Sequence, residues 1–174
     1  MARYTIDPER STVTIEASSS VHPIHSEAQG LHGWVEVEEA DGGRVDVDAG
    51  PAARLEFPVD RLHSGNPLED RELRRRIDAK HFPTIVGELE SVGPAVDGDD
   101  GPRYEVTGAL TFMGQTKRYV HAMSWRFADD GSLRLQGAAE FDVRDFGMEP
   151  PKILMLKVHP EVVVAIDVLA TRDD

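Results

Sequence analysis

Residues 104–127, YEVTGALTFMGQTKRYVHAMSWRF, contain two stretches in which apolar and polar residues alternate. Alternation with a period of two is typical of a β-strand that buries one face. The residues MGQ (113–115) between the stretches include a glycine and are typical of a tight turn. This segment therefore predicts an antiparallel hairpin.

The same alternation recurs in other stretches, bounded by turn-forming residues. They are residues 11–17, 33–39, 53–59, 84–92, 133–143 and 161–170. With the hairpin they make eight predicted strands, which favours an antiparallel up-and-down meander. Closing the meander into a barrel removes its exposed edges. A barrel of about eight strands is filled by side chains or holds one small ligand.

Two further segments are expected at one end of this barrel. Residues 66–78, NPLEDRELRRRID, predict the single helix, with Asn66 as N-cap and Pro67 at the first helical position. Leu68, Leu73 and Ile77 are expected to share one side of it. Residues 148–157, MEPPKILMLK, are apolar enough to predict a lid over the barrel mouth.

Composition excludes several classes of protein. The chain has 174 residues, no cysteine and a net charge of -13. This length favours one domain over residues 1–174, with a core that needs no disulfide. The acidic balance argues against nucleic acid, whose phosphates require Lys and Arg. No stretch resembles a signal peptide or is long enough to span a bilayer, so we expect a cytoplasmic protein with no membrane span.

Most of the seven histidines fall at the same end of the predicted barrel as the helix. Closure pairs the first and last strands, which brings the HPIH segment next to His159. His22, His25 and His159 therefore predict a three-histidine site for a transition metal ion such as zinc, copper, iron or nickel. Glu27 or Glu161 is the candidate fourth ligand or acceptor for a ring N–H.

Two alternatives to a simple metal site stay open. The three histidines are equally explained as exposed loop residues. A metal-bound water would supply a nucleophile for catalysis, but no residue pattern indicates a substrate. Whether the protein is an enzyme is therefore undecided, with a non-enzymatic role favoured. His121, in the middle of a strand, is expected to face outward.

Several motifs resemble the YceI-like family across nearly the whole chain. YTIDPERSTV (4–13) resembles its opening strand, and DREL (70–73) with DAKHFPTI (78–85) resembles its helix and the following strand. VTGALTFMGQTKRYV (106–120) resembles its Gly-x-Leu-Thr-x-x-Gly-x-Thr-Lys hairpin, and FDVRDFGM (141–148) resembles its Arg-x-Asp-Phe-Gly signature. The chain is identified as a divergent, histidine-rich member.

The resemblance implies an all-β, lipocalin-like barrel of eight antiparallel strands with one short helix. It implies a single YceI-like domain that holds an isoprenoid or lipid-like cargo, an apolar small molecule or polyprenyl chain, in an apolar interior. Apolar inward positions are also expected of a barrel filled by its own side chains. A homodimer stays open. The residues expected to contact the ligand are Val13, Ile15, Val35, Phe57, Phe112, Met123, Trp125 and Phe141.

Overall fold

The computed structural model describes residues 1–99, 101–150, 152–153 and 156–174. One α-helix is present among them, α1 (Pro67–Ile77), and short 3₁₀ segments occur at Val47–Ala49, Val59–Arg61 and Val143–Phe146. The strands are β1 (Ala2–Ile6), β2 (Thr12–Ser19), β3 (Pro23–Ala28), β4 (His32–Val37), β5 (Glu39–Ala40), β6 (Arg44–Val45), β7 (Ala52–Pro58), β8 (Thr84–Gly98), β9 (Gly101–Phe112), β10 (Gln115–Phe127), β11 (Ser132–Asp142), β12 (Lys152–Ile153) and β13 (Leu156–Arg172).

Eight strands close an antiparallel barrel in the order β1-β4-β7-β8-β9-β10-β11-β13, and β13 returns to β1. The predicted barrel with one short helix is therefore confirmed. We call the half containing β1 and β4 the lower barrel. In the upper barrel, on the side of α1, β2 pairs with β13 in place of β1, and β3 pairs with β2.

Apart from the two-residue strands β5, β6 and β12, the sequence pattern missed β1 and β3. β1 and β2 pair with successive parts of β13, so together they form one interrupted strand. β3 and β4 form a second interrupted strand, since β3 pairs with β2 and β4 pairs with β1. The second interruption is followed by Gly33, the second residue of β4, which has φ 137. A Cβ at Gly33 would lie 1.9 Å from the carbonyl oxygen of Arg54, so only glycine permits this close approach.

Helix α1 begins as the sequence predicts. Asn66 caps it by accepting a hydrogen bond from the backbone N–H of Leu68, and Pro67 follows at the first position. Leu73 and Ile77 pack inward, but Leu68 is exposed, so the prediction of one shared side is wrong for Leu68. Five residues are about 1.4 helical turns, which places Leu68 and Leu73 on different sides.

Among the described residues, no helix has the length and apolar character needed to cross a bilayer.

The lower barrel is filled by its own side chains. Tyr104, on β9, packs edge-on against Trp125 and accepts a hydrogen bond from the backbone N–H of Val45. The other members of this packed core are equally inaccessible. They include Tyr4, Ile6, Val35, Val37, Leu133, Val168 and Ala170.

Candidate functional site

The upper barrel is hollow. A cavity of about 380 Å³ extends from Trp125 and Leu135, at the boundary with the packed core, to a mouth beside α1. Its wall is formed by the inward positions of β2, β3, β7, β8, β9, β10, β11 and β13. Ligand pockets in proteins span about 300–1,000 Å³, so this cavity is of ligand-binding size.

The cavity exists because several inward positions carry small residues. On β8 the inward series is Ile85, Gly87 and Leu89, and on β11 the inward residue Ala139 is also small. The space in front of Gly137 on β11 is taken by the side chain of Met123. A Cβ at Gly87 would meet no atom closer than the Cβ of Leu55 at 4.0 Å, so the space in front of Gly87 is open. The backbone there adopts a conformation open to other residues, so glycine at this position serves to leave volume.

Helix α1 lies across one side of the mouth. Leu73 and Ile77 face the cavity, while the opposite side carries Glu72 between Arg75 and Arg76. Hydrogen bonds from Arg75 and Arg76 lower the pKa of the Glu72 carboxyl to about 2. The ion pairs support the exposed side of the helix, and the apolar side supplies part of the cavity wall.

Aromatic residues cover the other side of the mouth. Phe146, in the FDVRDFGM motif, packs edge-on against Phe112 with ring centroids 5.6 Å apart, and Tyr119 contacts Phe141 at 4.7 Å. Burial and the nearby Asp145 raise the pKa of the Tyr119 hydroxyl, so it stays a neutral donor. These rings form an apolar rim, to which the hydroxyl of Tyr119 adds a polar group.

The segment predicted as a lid is described only in part. Met148 is buried and lines the cavity, as does Pro150, next to the aromatic rim. Residues 151, 154 and 155 of the predicted lid lie outside the described residues.

His121 lies on the inner wall of the cavity, and the prediction that it faces outward is wrong. It alternates on β10 with Tyr119, Met123 and Trp125, which line the same cavity. Its cross-strand partner on β9 is Val106, which is buried. Burial lowers the pKa of the imidazole, so the ring is neutral at pH 7.

The charged groups of the wall are acidic. Among the described residues that line the cavity, none is Lys or Arg, whereas Glu69 and Asp70 of α1 lie at its edge. Asp70 accepts hydrogen bonds from the backbone N–H and the hydroxyl of Ser64. Glu69 is only 8% exposed. The cavity therefore offers no cation to a negatively charged ligand.

Most of the residues predicted to contact a ligand lie on this wall. Val35 is the exception, because it is fully buried in the lower barrel and does not line this cavity. Whether the others touch a ligand stays a prediction. Those that line the cavity are Val13, Ile15, Phe57, Phe112, Met123, Trp125 and Phe141.

The three histidines predicted to bind metal have separate surroundings. His22 places Nδ1 3.0 Å from the carbonyl oxygen of Pro23, and His25 places Nδ1 2.8 Å from Oε1 of Glu16. His159, at the mouth, has Nδ1 3.1 Å from Oγ of Ser18. No group of three or more His, Asp or Glu with a metal-site arrangement occurs in the part of the chain that the structure describes.

Strand pairing explains why the structure does not bring the three histidines together. The HPIH segment is not a loop at the barrel mouth, since its last three residues belong to β3. β2 lies between β3 and β13, so His25 and His159 are on strands about 9.6 Å apart. Ile24 and Ser26 line the cavity, and the alternation of the strand points His25 to the outer face.

One part of the upper wall is held without a ladder of backbone hydrogen bonds. Among the described residues, β3 pairs only with β2, and its other edge faces the segment that follows β7. We call this boundary, residues 27–29 against residues 61–63, the seam. Nε2 of His63 lies 3.0 Å from the carbonyl oxygen of Glu27 and bridges the seam. A polar groove of about 310 Å³ runs along it.

Sequence reasoning missed two features of the cavity that a signal in the chain could have indicated. His121 is two residues from Met123 and four from Trp125, both predicted to face inward, so the period of two already placed it inside. Ile24 and Ser26 alternate in the same way, but Pro23 and the polar neighbours hid the strand.

Comparisons with known proteins agree with the fold and with the resemblance. The YceI-like domain family matches residues 4–170 of the chain. No curated protein matches it. Several solved structures share the architecture at low sequence identity.

BcnA of Burkholderia cenocepacia is 16% identical, with a TM-score of 0.75 over 95% of this chain and 99% of that chain. A polyisoprenoid binding domain from Saccharophagus degradans, implicated in plant cell wall breakdown, is 11% identical, with a TM-score of 0.73 over 98% of each chain. The Campylobacter jejuni YceI protein is 13% identical, with a TM-score of 0.61 in one mutant structure, over 84% of this chain and 83% of that chain. At these identities the likeness shows the fold alone.

Proposed function

Because the chain belongs to the YceI-like family, we propose that it binds one apolar, isoprenoid- or lipid-like molecule in the upper barrel. The observation that carries the proposal is the cavity of about 380 Å³, which is lined mainly by apolar side chains. Burial of apolar ligand surface there supplies the binding free energy, at about 25 cal/mol per Å².

The shape of the site supports an elongated ligand that enters from one end. The packed core closes the cavity below Trp125 and Leu135, and α1 and the aromatic rim surround the mouth. A volume near the lower end of the usual range favours one short chain, or part of a longer chain whose remainder extends through the mouth. The structural neighbour from Saccharophagus degradans, described as polyisoprenoid binding, agrees with this class of ligand.

Extraction of the purified protein with organic solvent, followed by mass spectrometry, tests the proposal directly. We expect about one equivalent of a prenyl or acyl compound per chain. Gly87→Leu is the matched variant, since its side chain extends into the open space of the cavity, and it should carry less of the same compound.

A second measurement covers protein purified without its ligand. The fluorescence of phenylnaphthylamine rises in an apolar site, so wild type should enhance it and an apolar chain should displace it. Absence of both an extractable compound and probe binding in folded protein contradicts the proposed function.

A further inference from the structure

Two buried polar atoms on the cavity wall have no hydrogen-bond partner among the described residues. They are Nδ1 of His121 and Nε1 of Trp125, both on β10. A buried donor or acceptor left unpaired is unfavourable, and folded proteins keep few of them. His121 is only half-buried and lines the cavity, so its ring presents a polar edge to a ligand there, and the described residues supply no partner for its Nδ1.

The surroundings of His121 indicate which hydrogen-bonding group such a partner carries. Its neighbours on the wall are Tyr119 and Met123, and burial alone lowers the pKa of its ring. A neutral imidazole has one N–H donor and one acceptor nitrogen, whichever tautomer is present. It therefore fits a hydroxyl, which donates and accepts, or a carbonyl, which accepts.

Trp125 lies deeper in the cavity than His121. It is four residues from His121 on the same strand, which separates the two positions by about 13 Å. Its indole N–H is a donor only, and the side chain is 2% exposed at the boundary with the packed core. His121 is thus the polar group nearer the mouth, and Trp125 lies at the floor.

The charge of the wall limits the ligand further. No described lining residue is Lys or Arg, and Glu69 and Asp70 stand at the mouth. A carboxylate or phosphate inside the barrel would be an unpaired buried charge next to acidic groups, which is strongly unfavourable. An uncharged ligand avoids this penalty.

We propose that His121 is a specificity-determining residue that hydrogen-bonds the hydroxyl or carbonyl oxygen of an uncharged apolar ligand, so that this oxygen lies inside the barrel. This inference rests on the proposed function and adds to it the polar group of the ligand and its place. The class it selects is prenyl or acyl alcohols, ketones and amides, as opposed to hydrocarbons, free acids and phosphates.

Displacement of phenylnaphthylamine by three matched probes tests the inference: farnesol, its saturated hydrocarbon farnesane, and farnesyl phosphate. The proteins are wild type, His121→Phe, His121→Gln and Trp125→Phe. The quantity to compare is the ratio of farnesol to farnesane affinity, because the poor water solubility of the hydrocarbon raises its affinity in every variant.

We expect His121→Phe to lower this ratio about tenfold, the effect of losing one hydrogen bond of about 1.4 kcal/mol. Farnesane affinity should hold, which also shows that the variant folds. His121→Gln, which keeps a donor and an acceptor, should retain part of the ratio. Farnesyl phosphate should bind wild type more weakly than farnesol.

Two results would overturn the inference while leaving the proposed function intact. One is an unchanged ratio in His121→Phe, whether or not the ratio falls in Trp125→Phe. The other is tighter binding of farnesyl phosphate than of farnesol. If no probe binds wild type and no compound is extracted, the proposed function fails, and the inference fails with it.

Discussion

The lower and upper barrel share the strands β9, β10 and β11 but differ in what their inward positions carry. In the lower barrel these positions hold Tyr104, Phe127 and Leu133, and the interior is filled. In the upper barrel the inward positions include Ala139 on β11 and Gly87 on the neighbouring β8, and the interior is a cavity. The number of strands is equal in both halves, so the hollow follows from side-chain volume.

This difference assigns stability to one half of the barrel and the cavity to the other. The packed half supplies stability, because its side chains are fully removed from water and make dense contacts. The hollow half gives up part of that stabilisation and presents apolar surface to a ligand. Variants that act in one half only should therefore change either stability or binding.

The largest effect is expected from truncation in the packed half. Leu133→Ala removes a side chain that is 0% exposed and should lower the free energy of unfolding by about 2–5 kcal/mol. Leu110→Ala, on the cavity wall, should cost about 1–2 kcal/mol, since part of that side chain already faces open space. Urea unfolding measures both. Equal losses would show that the upper barrel is packed as tightly as the lower.

The next effect is expected from filling the hollow half. Gly87→Leu should weaken phenylnaphthylamine binding at least about tenfold, which corresponds to 1.4 kcal/mol of binding free energy. Its free energy of unfolding should change by less than about 1.5 kcal/mol, because the new side chain enters existing space. Val120→Leu adds volume on the exposed outer face and is the matched control. Binding unchanged in Gly87→Leu would place the ligand elsewhere.

A smaller effect is expected from the pH dependence of the hollow half. Burial lowers the pKa of His121 below its ordinary value of 6.5, so the unfolded chain binds a proton at higher pH than the folded chain does. The free energy of unfolding should therefore fall as pH drops below 6.5, until the folded-state pKa is reached. His121→Phe should reduce this fall in ligand-free protein. The same pH profile in wild type and variant would show that the ring is solvated.

The smallest effect is expected from the outer side of α1. The carboxyl of Glu72 has a pKa of about 2, so its ion pairs with Arg75 and Arg76 contribute above its ordinary pKa of 4.5 and are lost as pH falls towards 2. Glu72→Gln should lower the melting temperature slightly above pH 4.5 and not at all near pH 2. Exposed pairs of this kind contribute little. A large loss in Glu72→Gln would mean that the ion pairs, more than the apolar side of α1, hold the helix over the cavity.

The sequence predicted the elements whose pattern is local. The hairpin at 104–127 and the capped helix after Asn66 follow from alternation and from residue types at fixed positions. β3 was missed because Pro23 and its polar neighbours resemble a loop, and its pairing with β2 is a long-range property. The same pairing separates His25 from His159, which no spacing along the chain reveals.

The cavity itself was only half predictable. Alternation placed Met123 and Trp125 inside, and applied without exception it would have placed His121 there too. Whether inward residues fill a barrel or line a hollow depends on side chains across the barrel. Gly87 leaves space only because Leu55 does not reach into it, and that is a three-dimensional fact.

The seam between β3 and the segment after β7 has a kinetic consequence. Elsewhere the wall is held by ladders of backbone hydrogen bonds, but here a bridge from His63 to Glu27 spans the gap. The upper wall can part at this line by a local opening that leaves every ladder intact. We expect a ligand in the upper barrel to leave through the mouth or through this local opening, and neither route requires unfolding. A variant that raises the unfolding rate need not therefore shorten the residence time of the ligand.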